Sequence, residues 1–323
     1  MKHFCTVSDI GYINQGLALY QSLMDNMTEE FTLNYCCIGR DIFDKIGLLR
    51  LPNMNVWCTD DYEELQNVSD TSRQGYAWEL GARFTKFVLD QIGVRDSIDE
   101  IMYIDSDIII YPGFEKVYDE IGEKSIGIVP HLHIRPAPCQ VAPGYPGGYN
   151  VGITYFKNGK NGKRCLDLWA YSVLNPYDAE VRTGTTGERY TIKLHNTCGD
   201  QRFLEMFPIA YPDDTHVIGQ NVLHGAPWNM HVLNLDGFNM DTRLCKIDMN
   251  PGRDWMKKIL PTLEQSKPMV YYHFAGFKPD YENDTYKPTR DGFDQGFMSK
   301  PAAQLLHDEY YQKMKYVKEL YDL

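Results

Sequence analysis

Residues 101–110 read Ile101-Met102-Tyr103-Ile104-Asp105-Ser106-Asp107-Ile108-Ile109-Ile110. An apolar run of four residues makes a buried strand, and the two carboxylates follow it at once. In an open α/β sheet the ligand crevice lies outside the carboxyl ends of the strands. Asp105 and Asp107 in that position repel each other unless something offsets their charge. A divalent cation does so, and hard oxygen ligands suit Mg²⁺ or Mn²⁺. A bare D-x-D also arises by chance, as capping or solvated loop carboxylates; here the strand on its N-terminal side favours the metal.

Toward the N-terminus, strand-like and helix-like segments alternate. His3 to Val7 is a short apolar run ending at Ser8-Asp9. Leu17, Leu19, Tyr20, Leu23, Met24 and Met27 predict a helix over 16–27, and Phe31 to Ile38 and Asn55 to Cys58 predict strands. Leu80, Phe84, Phe87, Val88 and Ile92 predict a helix over 77–92, with Gly93 as its stop. Ser125 to Val129 adds another strand. This alternation predicts an α/β fold: a mostly parallel central sheet with helices on both faces. Residues 1–130 are the nucleotide-binding-type half.

Toward the C-terminus the chain changes character. Residues 136–148 hold four Pro and three Gly and predict a loop. Tyr149 to Phe156 is strand-like, 157–163 (KNGKNGK) a polar turn, and 182–200 a surface loop. Met269 to Phe274 is a late aromatic strand, and 301–323 a helix with Pro at its start. With no internal repeat and no dividing linker, the expectation is one catalytic domain with an elaborated C-terminal half, closed by an extension over 281–323.

Composition limits the function. The 323 residues are 43% hydrophobic and 24% charged, which excludes disordered, collagenous and coiled-coil classes. A net charge of −12, from 44 acidic against 32 basic side chains, argues against nucleic acid as a partner. The start MKHFCTVSDI lacks the features of a signal peptide, and no apolar stretch approaches the length of a membrane span. Eight scattered cysteines (Cys5, Cys36, Cys37, Cys58, Cys139, Cys165, Cys198 and Cys245) with no C-x-x-C predict reduced core thiols and a cytoplasmic location. Oligomeric state stays open. The 23 Tyr fit either an aromatic-lined cleft or a plain core.

A second block, Tyr272-His273-Phe274-Ala275-Gly276-Phe277-Lys278-Pro279, follows the late strand. A neutral imidazole there can be a third metal ligand. Gly lets backbone approach a ligand closely, and Lys meets a diphosphate as a point charge. With the D-x-D, this block resembles the glycosyltransferases of the GT-A fold, most closely glycosyltransferase family 8. That family carries D-x-D after a hydrophobic strand and H-F-x-G-x-x-K-P-W near the end of the domain. This chain has HFAGFKP at 273–279 and departs at Asp280, where the family has Trp. The segment NVLHGAPWN at 221–229 resembles a PWN-type segment of bacterial and viral sugar transferases.

Further likenesses run in the family's order. Thr6, Asp9 and Tyr12 look like its base-binding start. Arg83, in ELGARFTKFVLD, matches the helix Arg that contacts the donor, with Lys86 one turn on. Asn150-Val151-Gly152-Ile153 resembles the strand that touches the sugar, and Gly199-Asp200-Gln201 the D-Q pair at the sugar face. The resemblance implies a GT-A, Rossmann-like sheet and a metal-dependent, retaining transfer from a nucleotide diphosphate sugar, of the UDP class, to a glycan or other hydroxyl acceptor. Residues 131–280 would be the sugar and acceptor half. Asp105, Asp107 and His273 would hold Mn²⁺ or Mg²⁺. Thr6, Asp9, Tyr12, Arg83, Asp105, Ser106, Asn150, Gly152, Gly276 and Lys278 would bind the donor. Asp200 would orient a sugar hydroxyl or act as nucleophile, and Gln201 would position the sugar and stabilise an oxocarbenium-like state.

Two other functions use the same residues: a metal-dependent nucleotide-sugar hydrolase, and a non-catalytic glycan-binding protein of this fold. Several side chains carry open alternatives. His131 and His133 line a cleft, pack, or hold a second metal; Trp228 and Asn229 stack on a sugar or pack in the core; His224 meets a diphosphate or makes a loop hydrogen bond.

Overall fold

The structure is a computed structural model that describes residues 1–66, 72–91, 98–132, 147–175, 180–182, 189–191, 200–230, 232–247, 265–289 and 298–323. Its strands are β1 (Lys2–Ser8), β2 (Phe31–Cys37), β3 (Met54–Cys58), β4 (Glu100–Ile104), β5 (Ile108–Ile110), β6 (Ile126–Pro130), β7 (Tyr149–Lys157), β8 (Glu180–Arg182), β9 (Arg189–Thr191), β10 (Thr215–Val217), β11 (Leu223–Gly225), β12 (Leu233–Asn234), β13 (Leu244–Ile247), β14 (Lys267–His273), β15 (Lys278–Asp280) and β16 (Thr285–Lys287). The helices are α1 (Ile13–Asn26), α2 (Arg40–Leu49), α3 (Glu63–Gln66), α4 (Arg73–Gln91), α5 (Lys116–Ile121), α6 (Lys160–Leu174), α7 (Phe207–Ala210) and α8 (Pro301–Leu320).

A seven-stranded sheet runs in the order β10-β6-β7-β4-β1-β2-β3. Its strands are parallel except β7, which runs antiparallel to β4 and β6. The expected mostly parallel sheet is therefore present. Strand alternation divides its side chains between two cores. Phe4 of β1 packs with Leu17 of α1, Ile46 of α2 and Val117 of α5 in one cluster. Cys5 and Val7, pointing the other way, join Leu80 and Phe84 of α4 and Trp169 of α6 in the other.

The chain builds outward from β1 to β3, then returns to place β4 on the other side of β1. That reversal is the switch point at which open α/β sheets leave a crevice. A second sheet, β11-β14-β13-β12, pairs with β5 through β14. Asp105 to Asp107 thus span the step from one sheet to the other.

Two segments differ from the sequence expectation. The polar turn at 157–163 is half helical, because α6 starts at Lys160. Cys165, Leu166, Trp169, Ala170 and Val173 give that helix its buried face. The expected loop at 182–200 contains β9, which pairs antiparallel with β8. Ile92, Gly93, His133 and most of the Pro/Gly loop lie outside the described residues. The expected C-terminal helix is α8, with Pro301 in its first turn. It lays Tyr310 on Phe274, ring centroids 3.8 Å apart and 18° from parallel.

Cys5, Cys36, Cys37, Cys58, Cys165 and Cys245 are free and buried, as core thiols should be; Cys139 and Cys198 lie outside the described residues. Among the described residues no helix is long and apolar enough to cross a membrane.

Candidate metal and donor site

The site begins with a tight turn. Ile108 donates its backbone N–H to the Asp105 carbonyl at 3.2 Å, so Asp105-Ser106-Asp107-Ile108 reverses the chain between β4 and β5. Asp105 N–H donates to the Gly152 carbonyl of neighbouring β7 at 2.9 Å. On the other side β14 sets His273 opposite Ile108. His273 Nε2 consequently lies 3.0 Å from Asp107 Oδ1 and 3.5 Å from Asp105 Oδ2. One donor atom from each of Asp105, Asp107 and His273 falls within 4.8 Å of the others. Two carboxylates and one imidazole nitrogen at that spacing could hold a divalent cation.

Tyr103 is an addition that motif reading missed. Its hydroxyl donates to Asp105 Oδ1 at 2.7 Å. The available signal was strand alternation, which puts residues 103 and 105 on one side. Burial raises the Asp105 carboxyl above its ordinary value; His273 opposes this, Asp107 adds to it, and the Tyr103 hydrogen bond opposes it. A bound cation reverses that balance by stabilising the carboxylate form.

The other His273 nitrogen, Nδ1, lies 3.2 Å from Asn150 Oδ1. Gly152 donates its backbone N–H to the same oxygen at 3.0 Å. A Cβ on Gly152 would stand 2.6 Å from both Asn150 Oδ1 and His273 Nδ1, so only glycine fits there. Asn150 Nδ2 reaches Gln201 Oε1 at 3.3 Å and His131 Nε2 at 3.4 Å. Trp228 sits edge-on to both imidazoles, 5.1 Å from His273 and 5.6 Å from His131 between ring centroids. The Pro-Trp-Asn turn therefore packs against His273. Asn229 holds that turn, accepting from Ala226 N–H at 2.9 Å and donating to the His224 carbonyl at 3.3 Å.

Asp200 is buried, and its carbonyl accepts from Trp169 Nε1 at 3.2 Å. Burial first, then the nearby charge of Asp105, raises its carboxyl well above the usual range. Gln201 opens a 3₁₀ turn, Gln201–Met206. Gly199 lies outside the described residues.

The remaining sequence candidates are placed by their own elements. Thr6 is buried near the end of β1. Asp9 Oδ1 accepts from Gly11 N–H at 2.8 Å and caps the 3₁₀ turn Ile10–Tyr12, whose Tyr12 is exposed. Arg83, on α4, donates to the Glu64 carbonyl, and burial lowers its pKa. Ser106 is buried within the turn. Gly276 has φ +75° at the third position of a turn closed by Phe277 N–H to the Phe274 carbonyl at 3.0 Å, a conformation that favours glycine. Lys278 is exposed on β15, opposite Lys287. Close contacts and hydrogen bonds thus join Asp105, Asp107, His273, Asn150, Gly152 and Gln201 directly. Those of Arg83 run to the backbone of α3. The His224 ring stacks on Tyr271 at 5.3 Å.

No protein-family model matches the chain. Two proteins of Bacillus subtilis (strain 168), the uncharacterized proteins YfnF and YfnD, are 22% and 21% identical over 284 residues. The match covers 85% of this chain and 81% and 78% of theirs. Among solved structures, an active-site glutamine-to-glutamate mutant of LgtC superposes with a TM-score of 0.54 at 12% identity, covering 96% of this chain and 95% of that one. The galactosyltransferase LgtC in complex with donor and acceptor sugar analogs gives 0.53 at 12% identity over the same shares. Sheet order, switch point and superposition agree with the resemblance carried by the two motifs: the chain has the GT-A glycosyltransferase fold.

Proposed function

We propose that this chain is a divalent-cation-dependent, retaining glycosyltransferase. Its donor is a nucleotide diphosphate sugar of the UDP class, and its acceptor a glycan or other hydroxyl compound. One observation carries the proposal: Asp105, Asp107 and His273, drawn from two sheets, converge at the switch-point edge with donor atoms within 4.8 Å. LgtC, which shares the fold, is a galactosyltransferase, and a mutant of its active site replaces a glutamine. Gln201 is the glutamine that meets Asn150 here.

The roles follow from position and charge. Thr6, Asp9 and Tyr12, at the end of β1, take the base, and Ser106 lies beside the ribose and diphosphate. Gly152 and Gly276 let main chain approach the donor. Arg83 and Lys278 add fixed positive charge toward the departing diphosphate. A cation bound by Asp105, Asp107 and His273 supplies Lewis-acid neutralisation of that leaving group. Asn150 and Asp200 orient the sugar. Burial opposes ionisation of Asp200, so its carboxyl is better suited to hydrogen-bond a sugar hydroxyl than to attack carbon. Gln201 faces the anomeric centre as a neutral dipole that stabilises positive charge there. Residues 1–130 serve the nucleotide, 131–280 the sugar and acceptor, and α8 backs the His273 segment.

The test is a panel of nucleotide sugars with Mn²⁺, with and without glycan acceptors. Acceptor-dependent release of nucleoside diphosphate is the expected result. Release that no acceptor changes identifies a hydrolase. No release, with glycan binding intact, identifies a glycan-binding protein.

A further inference from the structure

We infer that Asn150 is a positioning residue that sets the tautomer of His273 and ties it to Gln201 and His131. The inference rests on the assignment of Asp105, Asp107 and His273 as cation ligands. It gives Asn150 a task separate from contact with a sugar.

Two backbone groups fix the protons of this network from opposite ends. At one end stands Gly152 N–H, which can only donate. The Asn150 atom 3.0 Å from it must therefore be the amide oxygen. His273 Nδ1 faces that same oxygen at 3.2 Å and must carry a proton. In the neutral ring Nε2 then presents its lone pair toward Asp107 Oδ1, 3.0 Å away, and Asp105 Oδ2, 3.5 Å away. Acceptors face each other in that way only with positive charge shared between them. An Nδ1-protonated imidazole with a free Nε2 is the form that ligates a metal ion.

At the other end stands the Gly147 carbonyl, which can only accept. His131 Nδ1 lies 2.9 Å from it and must donate. His131 Nε2 is then an acceptor, and it faces Asn150 Nδ2 at 3.4 Å. The two ends, reasoned separately, require the same orientation of the Asn150 amide. That amide group also donates to Gln201 Oε1 at 3.3 Å. One side chain therefore joins the metal ligand, through its oxygen, to the residue beside the sugar, through its nitrogen. The backbone immediately after His131 is held in the left-handed region at Leu132, φ +56°, with the Leu132 side chain buried. A conformation of that kind persists only where surrounding structure enforces it.

Two substitutions separate the ends of the network. Asn150→Leu keeps the bulk and removes the acceptor. His273 can then place its proton on Nε2, against Asp107, where it competes with the cation. Asn150→Asp keeps an oxygen for His273 Nδ1 and Gly152 N–H but turns a second oxygen on Gln201 Oε1 and His131 Nε2. The measurement is Mn²⁺ affinity by electron paramagnetic resonance of the free ion, without any sugar. Asn150→Leu should weaken Mn²⁺ binding about 10–100-fold, the usual cost of losing such a support. Asn150→Asp should leave it within about threefold, because the acceptor remains.

Wild-type affinity in a folded Asn150→Leu protein overturns the role of Asn150. Wild-type affinity in Asp107→Ala instead overturns the cation site beneath it. If Asn150→Leu does not fold, ¹⁵N resonances of labelled histidine decide the matter in the wild-type, metal-free protein above neutral pH. His273, identified by the signal lost in His273→Gln, should carry its proton on Nδ1. A proton on Nε2 overturns the inference.

Discussion

Phe274 donates its backbone N–H to the carbonyl of Asp107 at 2.8 Å. The two motifs that supply the candidate metal ligands are thereby joined main chain to main chain. The β5–β14 ladder extends the same join to Ile108, Ile109 and Ile110. The imidazole and the second carboxylate are held in place by sheet hydrogen bonds, and only their side-chain torsions remain to be set.

Removing a ligand should therefore remove the cation without removing the fold. Asp107→Ala and His273→Ala are each expected to weaken Mn²⁺ binding by about 100-fold or more, on the scale by which even outer supports matter. Neither ligand is needed by the ladder, and Asp107→Ala relieves repulsion with Asp105. Its melting temperature without metal should match or exceed wild type. A ligand present at 100 times its Kd stabilises by about 2.7 kcal/mol. Wild type should thus melt higher in excess Mn²⁺, and Asp107→Ala should not. Equal Mn²⁺-induced shifts in the two proteins count against the site.

Gly152→Ala should disturb the same centre by crowding. The added Cβ meets Asn150 Oδ1 and His273 Nδ1 at 2.6 Å each. Both belong to short side chains locked by hydrogen bonds, so neither yields freely. Overpacking of this kind costs about 1–3 kcal/mol. Displacing His273 should also lower Mn²⁺ affinity at least about tenfold. Denaturant midpoints and Mn²⁺ titration check the two effects. A variant with both properties unchanged would mean that the imidazole has room to retreat.

The sequence made one part of this arrangement readable and hid another. Asp105, Asp107 and His273 could be found because each lies at or just past the end of an apolar strand, and strand ends are where an α/β sheet keeps its ligand crevice. The sheet itself could be read from strands whose bounds differ from β1, β2, β3, β6, β7 and β14 by one or two residues. Trp228 could not be placed, because a Pro-Trp-Asn turn says nothing of which ring it faces. Only the fold brings it to 5.1 Å from His273. Asn150 is legible as a sugar-side residue, but its oxygen is committed to a residue 123 positions away. Strands as short as β10 to β13 carry too few residues for a period to show. The start of α6 was masked by the polar, Gly-rich KNGKNGK, although its apolar spacing begins at Cys165.

Tyr310 tests the contribution of α8. Its ring stacks on Phe274 at 3.8 Å and meets Phe277 at 4.9 Å. Truncating a buried aromatic of this size costs about 3–5 kcal/mol, so Tyr310→Ala should lower the unfolding free energy by that amount. The hydroxyl is different. It is buried and has no hydrogen-bond partner among the described residues. Tyr310→Phe removes an unsatisfied polar group and should be neutral or mildly stabilising. Urea denaturation of both variants checks the pair. A Tyr310→Phe protein destabilised by more than about 1 kcal/mol would show that the hydroxyl makes a net favourable bond.

Two buried histidines set the acid limit of stability. Burial, then the proximity of His273, pushes His224 down to about 3. Burial pushes His307 down to about 4, against opposing hydrogen bonds. Unfolded, both titrate near 6.5. Below about pH 6.5 the unfolded chain takes up protons that the folded chain refuses, so stability falls as pH falls. Each histidine adds a slope of up to about 1.4 kcal/mol per pH unit, and both act between about pH 6 and pH 4. His224→Phe keeps an aromatic ring on Tyr271 and abolishes one of the two titrations. It should match or exceed wild-type stability near pH 8, where both forms of the protein are neutral at this position. Between pH 6 and pH 4 its stability should fall less steeply than wild type by about 1.4 kcal/mol per unit. Carboxylates titrate alike in both proteins, so the difference between their urea midpoints isolates His224. Parallel pH curves would show that His224 accepts a proton in the folded state.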